Sequence, residues 1–134
     1  MLRKSALLLV APLLVAGCET MPPGRTDHST QYKPDKTCRP AGNCEVWVNP
    51  LDHWVPEKII MEPGDGPRIV VWKSAFAFQN GGIQFDEAGR QAMRCEQHGP
   101  WMVVCEADPS KKGEFKYTID VLGYDPVDPW YVNH

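Results

Sequence analysis

Glu114-Phe115-Lys116-Tyr117-Thr118-Ile119-Asp120-Val121 alternates between polar and apolar side chains along its whole length. A period of two marks a strand with one buried face, because successive side chains of an extended backbone point to opposite sides. Phe115, Tyr117, Ile119 and Val121 therefore face a core. Outward from this stretch the chain offers further short apolar runs, at 45–49, 57–62, 68–73, 82–85, 91–97 and 101–106. Pro63-Gly64-Asp65-Gly66-Pro67 and Asn80-Gly81 are turn signals between them. No run in 18–134 sustains a 3.6-residue period, and Pro and Gly recur too often for long helices. The pattern predicts an all-β fold, a small antiparallel β-sandwich of about seven strands. The tail, 123–134, carries Asp125-Pro126 and Asp128-Pro129. It is expected to lie against the sandwich through Trp130 and Tyr131 rather than to supply a core strand.

The other end of the chain reads as an address. Met1-Leu2-Arg3-Lys4 is basic, and Ser5 to Ala16 is uncharged and mostly apolar. That is the anatomy of an export signal, and about a dozen apolar residues are too few to span a bilayer, which takes roughly 20. Val15-Ala16-Gly17-Cys18 resembles the lipobox of bacterial lipoproteins. The resemblance implies diacylation of the Cys18 sulfur, cleavage before it and acylation of the new amine. In Gram-negative lipoproteins a residue other than Asp after the cysteine directs the protein to the outer membrane, and Glu19 fits that default. The expected organisation is a signal peptide at 1–17, a lipidated flexible tether at 18–37 and the sandwich with its tail at 38–134. The tether reading rests on polar, Pro-, Thr- and Lys-rich composition, with Tyr32-Lys33-Pro34 as the one candidate for local structure. Cleavage removes Arg3 and Lys4 and no acid, which takes the net charge from −3 to −5. Such a balance opposes binding to nucleic acid and to anionic membrane surfaces.

With Cys18 assigned to lipid, Cys38, Cys44, Cys95 and Cys105 remain. An even set in an exported chain reads as two disulfides, with three possible connectivities. Local spacing favours Cys38–Cys44 and Cys95–Cys105, the second across a hairpin whose turn includes His98-Gly99-Pro100. Each bridge is worth about 2–4 kcal/mol. A four-cysteine zinc site is disfavoured because the spacings lack paired CxxC knuckles.

Ile59 through Pro63-Gly64 to Val71-Trp72 resembles the second and third strands of cupredoxin-like domains. Cys95-Glu96-Gln97-His98 and Met102 resemble the copper loop of that family, in which Cys, His and Met occur in this order. The resemblance implies a cupredoxin-like or immunoglobulin-like Greek-key sandwich. Carried over residue by residue, it makes Cys95 a thiolate, His98 an imidazole and Met102 an axial ligand to copper. The second imidazole of the family falls at Gly81 or Gly82, leaving His53 as the only upstream substitute within the domain. A Cys95–Cys105 bond would remove the thiolate, so the sandwich is expected without a cofactor or metal.

Other chemistry has little support. Ser29, Ser74 and Ser110 lie outside any GxSxG context, and His28, His53, His98 and His134 form no HExxH or close pair. Asp86 with Glu87, and Asp125 with Asp128, sit beside Gly or Pro, where Asp favours turns. They lack the alternate spacing of a calcium loop. Trp47 lies opposite Val46 and Val48 in strand parity. Exposed, it would mark a partner or glycan surface, but a two-layer sandwich is expected to cover both faces of that strand. No catalytic residue is assigned. The expectation is a lipid-anchored, non-enzymatic module of the cell envelope that presents its sandwich to a protein or cell-wall partner. A periplasmic copper-binding or electron-transfer protein is the alternative.

Overall fold

The computed structural model describes residues 32–134; Cys18, the signal segment and most of the expected tether lie outside them. In chain order the elements are β1 (Tyr32–Lys33), β2 (Lys36–Cys38), β3 (Cys44–Val48), β4 (Val55–Pro56), β5 (Lys58–Met61) and β6 (Arg68–Ser74). They continue with β7 (Phe78–Phe85), α1 (Glu87–Ala92), β8 (Met93–Gln97), β9 (Met102–Ala107), β10 (Gly113–Val121) and β11 (Trp130–Asn133). A five-stranded sheet in the order β2-β5-β11-β10-β7 faces a four-stranded sheet in the order β3-β6-β9-β8, and β1 pairs with β4. The fold is an all-β sandwich.

The stretch that announced a half-buried strand does form one. In β10, Phe115, Tyr117, Ile119 and Val121 are buried while Glu114 and Lys116 are exposed. Tyr117 packs at 5.4 Å from Trp72 and 5.2 Å from Phe85, so both sheets and the β7 edge meet on one ring.

Several expectations need correction. The sheets are mixed: β2–β5, β5–β11 and β3–β6 are parallel, while the β10 and β9 pairings are antiparallel. The chain crosses between sheets after β2, after β3 by way of β4, and after β5, β6, β7 and β9, and such crossovers, unlike tight hairpins, can bring strands back in the same direction. The 63–67 turn is one of these crossings and joins no hairpin. Asn80-Gly81 is no turn between strands either. With Gly82 it forms three successive positive-φ residues that bulge β7 outward between Phe78, opposite Val121, and Ile83, opposite Ile119. Residues 32–37, read as tether, contribute β1 and part of β2. Among the described residues eleven strands, several of only two to four residues, replace the seven expected, because pairing rather than sequence period defines such short elements.

The largest correction is the tail. Trp130–Asn133 is β11, and it runs between β5 and β10 in the middle of the five-stranded sheet. Pro126 and Pro129 made the segment read as coil, but Trp-Tyr-Val suits a pleated surface and lies just beyond the second proline.

Two devices close the sandwich. On one side Cys38–Cys44 joins β2 to β3, the facing edges of the two sheets. On the other, α1 bridges edge strands β7 and β8. Asp86 caps this helix by accepting a 2.8 Å bond from Gly89 N, and Glu87 and Arg90 complement its dipole. A Cβ at Gly89 would come within 2.7 Å of the Phe85 side chain, so only glycine lets the helix sit this close. Six residues are under two turns, too few to show a helical period.

At the end of the sandwich near Gly64, Arg68 points inward with Val70 and Trp72 and is 2% exposed. Its guanidinium donates to Asn133 Oδ1 (2.8 Å), His134 O (3.0 Å) and Gly64 O (3.2 Å). Asn133 uses its whole amide: Oδ1 also accepts from the Tyr131 hydroxyl (3.1 Å), and Nδ2 donates to Asp108 O (3.1 Å) and Lys111 O (2.8 Å). Asn133→Ala would leave several buried partners unsatisfied, and a loss of about 2–4 kcal/mol in denaturant titration is expected.

Burial pushes the phenols of Tyr117 and Tyr131 well above the usual tyrosine range. Below about pH 10 both folded and unfolded states keep these protons and neither affects stability. Above that pH the unfolded chain releases them first, so stability falls as pH rises. Alkaline titration followed by phenolate absorbance should show both ionising only as the protein unfolds.

Candidate functional site

At the end opposite Arg68, four connections meet: 49–54, 75–77, 98–101 and 122–129. Main-chain bonds tie them together, from Ser74 N to Trp101 O (3.0 Å), Phe78 N to Pro100 O (2.7 Å) and Leu122 N to Ala77 O (2.9 Å). Beneath lies an aromatic base, with Tyr124 edge-on to Trp54 at 6.0 Å and to Phe76 at 5.4 Å. On and around it sit the large hydrophobic side chains that the described residues leave exposed: Trp47 (54%), Leu51 (71%), Trp101 (56%) and Leu122 (61%). Their gathering at one end of the sandwich is the feature of this surface that packing does not explain.

The 49–54 turn is held in an uncommon conformation. His53 and Trp54 both have positive φ, +54° and +46°, which costs about 1–2 kcal/mol per residue for a side chain with a Cβ. Burial of Trp54 and the 2.9 Å bond from Asn49 N to Trp54 O hold it there, presenting Leu51 at the tip. Sequence reading passed over Leu51 and Leu122. The available signal was an apolar residue placed between turn formers, in Pro50-Leu51-Asp52 and Leu122-Gly123, with no strand to bury it.

Trp47 reverses an expectation. The outer face of the four-stranded sheet carries no covering layer among the described residues, because α1 lies at the β7–β8 seam. Trp47 Nε1 donates to Glu45 (3.1 Å), and Lys73 lies 5.8 Å from the indole centre while bonding Glu45 at 2.8 Å. That hydrogen-bonded ammonium holds the Glu45 carboxyl below its ordinary range. Trp54 and Trp72 are buried, and Trp130 lies under Lys116 at 4.8 Å on the outer face of the other sheet.

The residues carried over from the copper loop do not converge. Cys95 is bonded to Cys105, its direct cross-strand partner, on the core side of the sheet. Met102 pairs with Lys73 and faces the outer side. His98 is solvent-facing, 2.9 Å from Glu96. His53 contacts Asp52 (2.9 Å) beyond β3, at the opposite sheet edge from β8. Three strand spacings, roughly 14 Å, separate these edges. Among the described residues no three His, Cys, Asp or Glu side chains are grouped as a metal ion would require. The resemblance followed the order of residue types along the chain, whereas a ligand set depends on strand parity.

The carboxylate pairs have local structural partners: Asp86 caps α1, and Asp128 accepts from Thr118 Oγ1 (2.8 Å). Asp125 lies in the 122–129 connection. Ser74 is buried and accepts from Phe76 N, and Ser110 bonds Asp108. A groove of about 390 Å³ runs along the β7–β8 seam, lined by Phe85, Arg90, Met93, Arg94 and Cys95. Its guanidinium groups are engaged, Arg94 with Glu106 (3.3 Å) and Arg90 with Phe85 O (3.4 Å).

Comparison with protein-family models, with curated proteins and with solved structures found no match to this chain.

Both disulfides are expected in the isolated protein. Alkylation after unfolding without reductant should find no free thiol at Cys38, Cys44, Cys95 or Cys105, and peptide mapping should link Cys95 to Cys105. An alkylated Cys95, with an intense visible band on adding Cu(II), would return the copper assignment.

Proposed function

We propose that this chain is a lipid-anchored module of the bacterial cell envelope, held through Cys18 and acting by presenting its sandwich to a protein or cell-wall partner rather than by catalysis. The observation that carries the reading is Val15-Ala16-Gly17-Cys18 directly after a basic and apolar export signal. Setting Cys18 aside leaves four cysteines, and all four are paired. Paired cysteines suit an oxidising compartment such as the periplasm. Glu19 favours the outer membrane, with the domain facing the periplasm. No helix among the described residues is long and apolar enough to cross a membrane. Several acyl chains at about 0.8 kcal/mol per buried methylene would suffice for stable attachment. A binding role is favoured by the side chains left exposed, which are large and apolar and serve contact better than proton or group transfer.

The anchor has a direct test in the full chain expressed in a Gram-negative host. Radiolabelled fatty acid should enter the protein, and Cys18→Ser should abolish the label and move the protein from the membrane to the soluble fraction. Label retained by the variant would refute the assignment.

A further inference from the structure

We propose that the aromatic end of the sandwich, with Trp47, Leu51, Trp101 and Leu122, rests in the interfacial layer of the membrane that carries the lipid anchor. This deepens the anchored reading above and rests on it for the choice of occupant. The first argument is where the chain enters the fold. Tyr32 pairs with Trp54 and Val55, and β1 runs parallel to β4, away from the 49–54 turn. The first described strand therefore begins on the aromatic side and runs away from it. Residues 19–31, thirteen in number, separate Cys18 from Tyr32, with a maximum reach on the order of 45 Å. The nine residues of β10 span the sandwich, roughly 30 Å. By register Lys36 is level with Phe115, which places Tyr32 near the level of Ile119, about two residues from the aromatic end and about six from the other. Passing the Arg68 end to reach lipid would use roughly 20 Å of that reach alongside the domain, and passing the aromatic end roughly 7 Å.

The second argument is chemical. Trp is enriched at the headgroup level of membranes, where its ring is buried and its N–H stays wet. Here two half-exposed Trp side chains and two exposed Leu side chains share one end. The four connections contain no Lys or Arg, and their acidic groups are Asp52, Asp125 and Asp128. The nearest cation beside Trp47, Lys73, is paired with Glu45. Attraction to anionic headgroups is therefore not the driving force, and contact is apolar. The opposite end presents Arg39, Glu62, Lys111 and Lys112 to the aqueous side, where any partner would approach.

The test separates docking from anchoring. The full chain bearing Cys18→Ser and a hexahistidine insertion beside residue 18 is held on phosphatidylcholine vesicles by a nickel-chelating lipid, so attachment does not depend on acylation. Brominated phosphatidylcholine should quench Trp emission, and 0.5 M salt should not relieve the quenching. Leu51→Asp with Leu122→Asp keeps both reporter Trp residues and alters only exposed turns. It should retain the wild-type far-ultraviolet spectrum and reduce the quenching about tenfold. Unquenched Trp in the tethered protein would overturn docking while leaving the acyl-labelling result to stand by itself. Two other results would overturn it in favour of another occupant: a Trp blue shift that depends on protein concentration without lipid, indicating a second copy, or photocrosslinking from position 47 to an envelope protein instead of lipid. Absence of acyl label from the wild-type chain, with quenching retained in the tethered protein, would remove the anchor and keep the lipid-facing end.

Discussion

The five-stranded sheet depends on four residues near the end of the chain. Until Trp130–Asn133 lies between β5 and β10, the sheet is two separate pieces, β2-β5 and β10-β7, with no shared hydrogen bonds. The insertion is fixed from the side by Asn133, whose amide is saturated, and from the other sheet by Arg68. A buried guanidinium is costly unless its donors are met. Here main-chain oxygens and one amide meet Nη1 and Nη2, while Nε has no partner among the described residues. The bonds to Arg68 also tie the two sheets and the last strand together. Contacts between residues as distant as 58 and 130 must form together, which places this domain among those whose folding is set by long-range pairing.

Closing the sides of the sandwich has a further consequence. The Cys38–Cys44 bond occupies one seam and α1 the other, so variation in surface character is left to the outer faces and the two ends. The Arg68 end is charged: Arg68 and Asn133 are consumed in structure, while Arg39, Lys111 and Lys112 stay exposed. The aromatic end has an ordered ring stack below and unsatisfied apolar side chains above. A turn with positive φ at His53 and Trp54 lies there too, held by the burial of Trp54 and the main-chain bond from Asn49.

What could be read without coordinates follows a physical rule. The alternation in 114–121 and the local spacing of the cysteine pairs are carried within a few residues of chain, and both are present as read. The helix α1 was not legible in the sequence: Asp86 and Glu87 read as turn formers, and six residues cannot display a period. Cys95, His98 and Met102 follow the order of residue types in the copper loop, while β8 and β9 turn Cys95 inward and Met102 outward, a difference of strand parity that residue order does not carry. Trp47 misled because the expectation of cover assumed a layer outside the four-stranded sheet, and the one helix among the described residues is spent on the seam.

By itself the sequence determined that strands build the domain, which face of 114–121 is buried, and how the four cysteines would most simply pair. Each is a matter of local periodicity or short loop closure. Tertiary structure alone decided that the Pro-flanked tail is a central strand, that parallel neighbours arise from crossings between sheets, and that Trp47, Leu51, Trp101 and Leu122 gather at the end near which the first described strand begins. Those are relations between residues tens of positions apart. They are set by which edges remain free to pair, a quantity no local window contains.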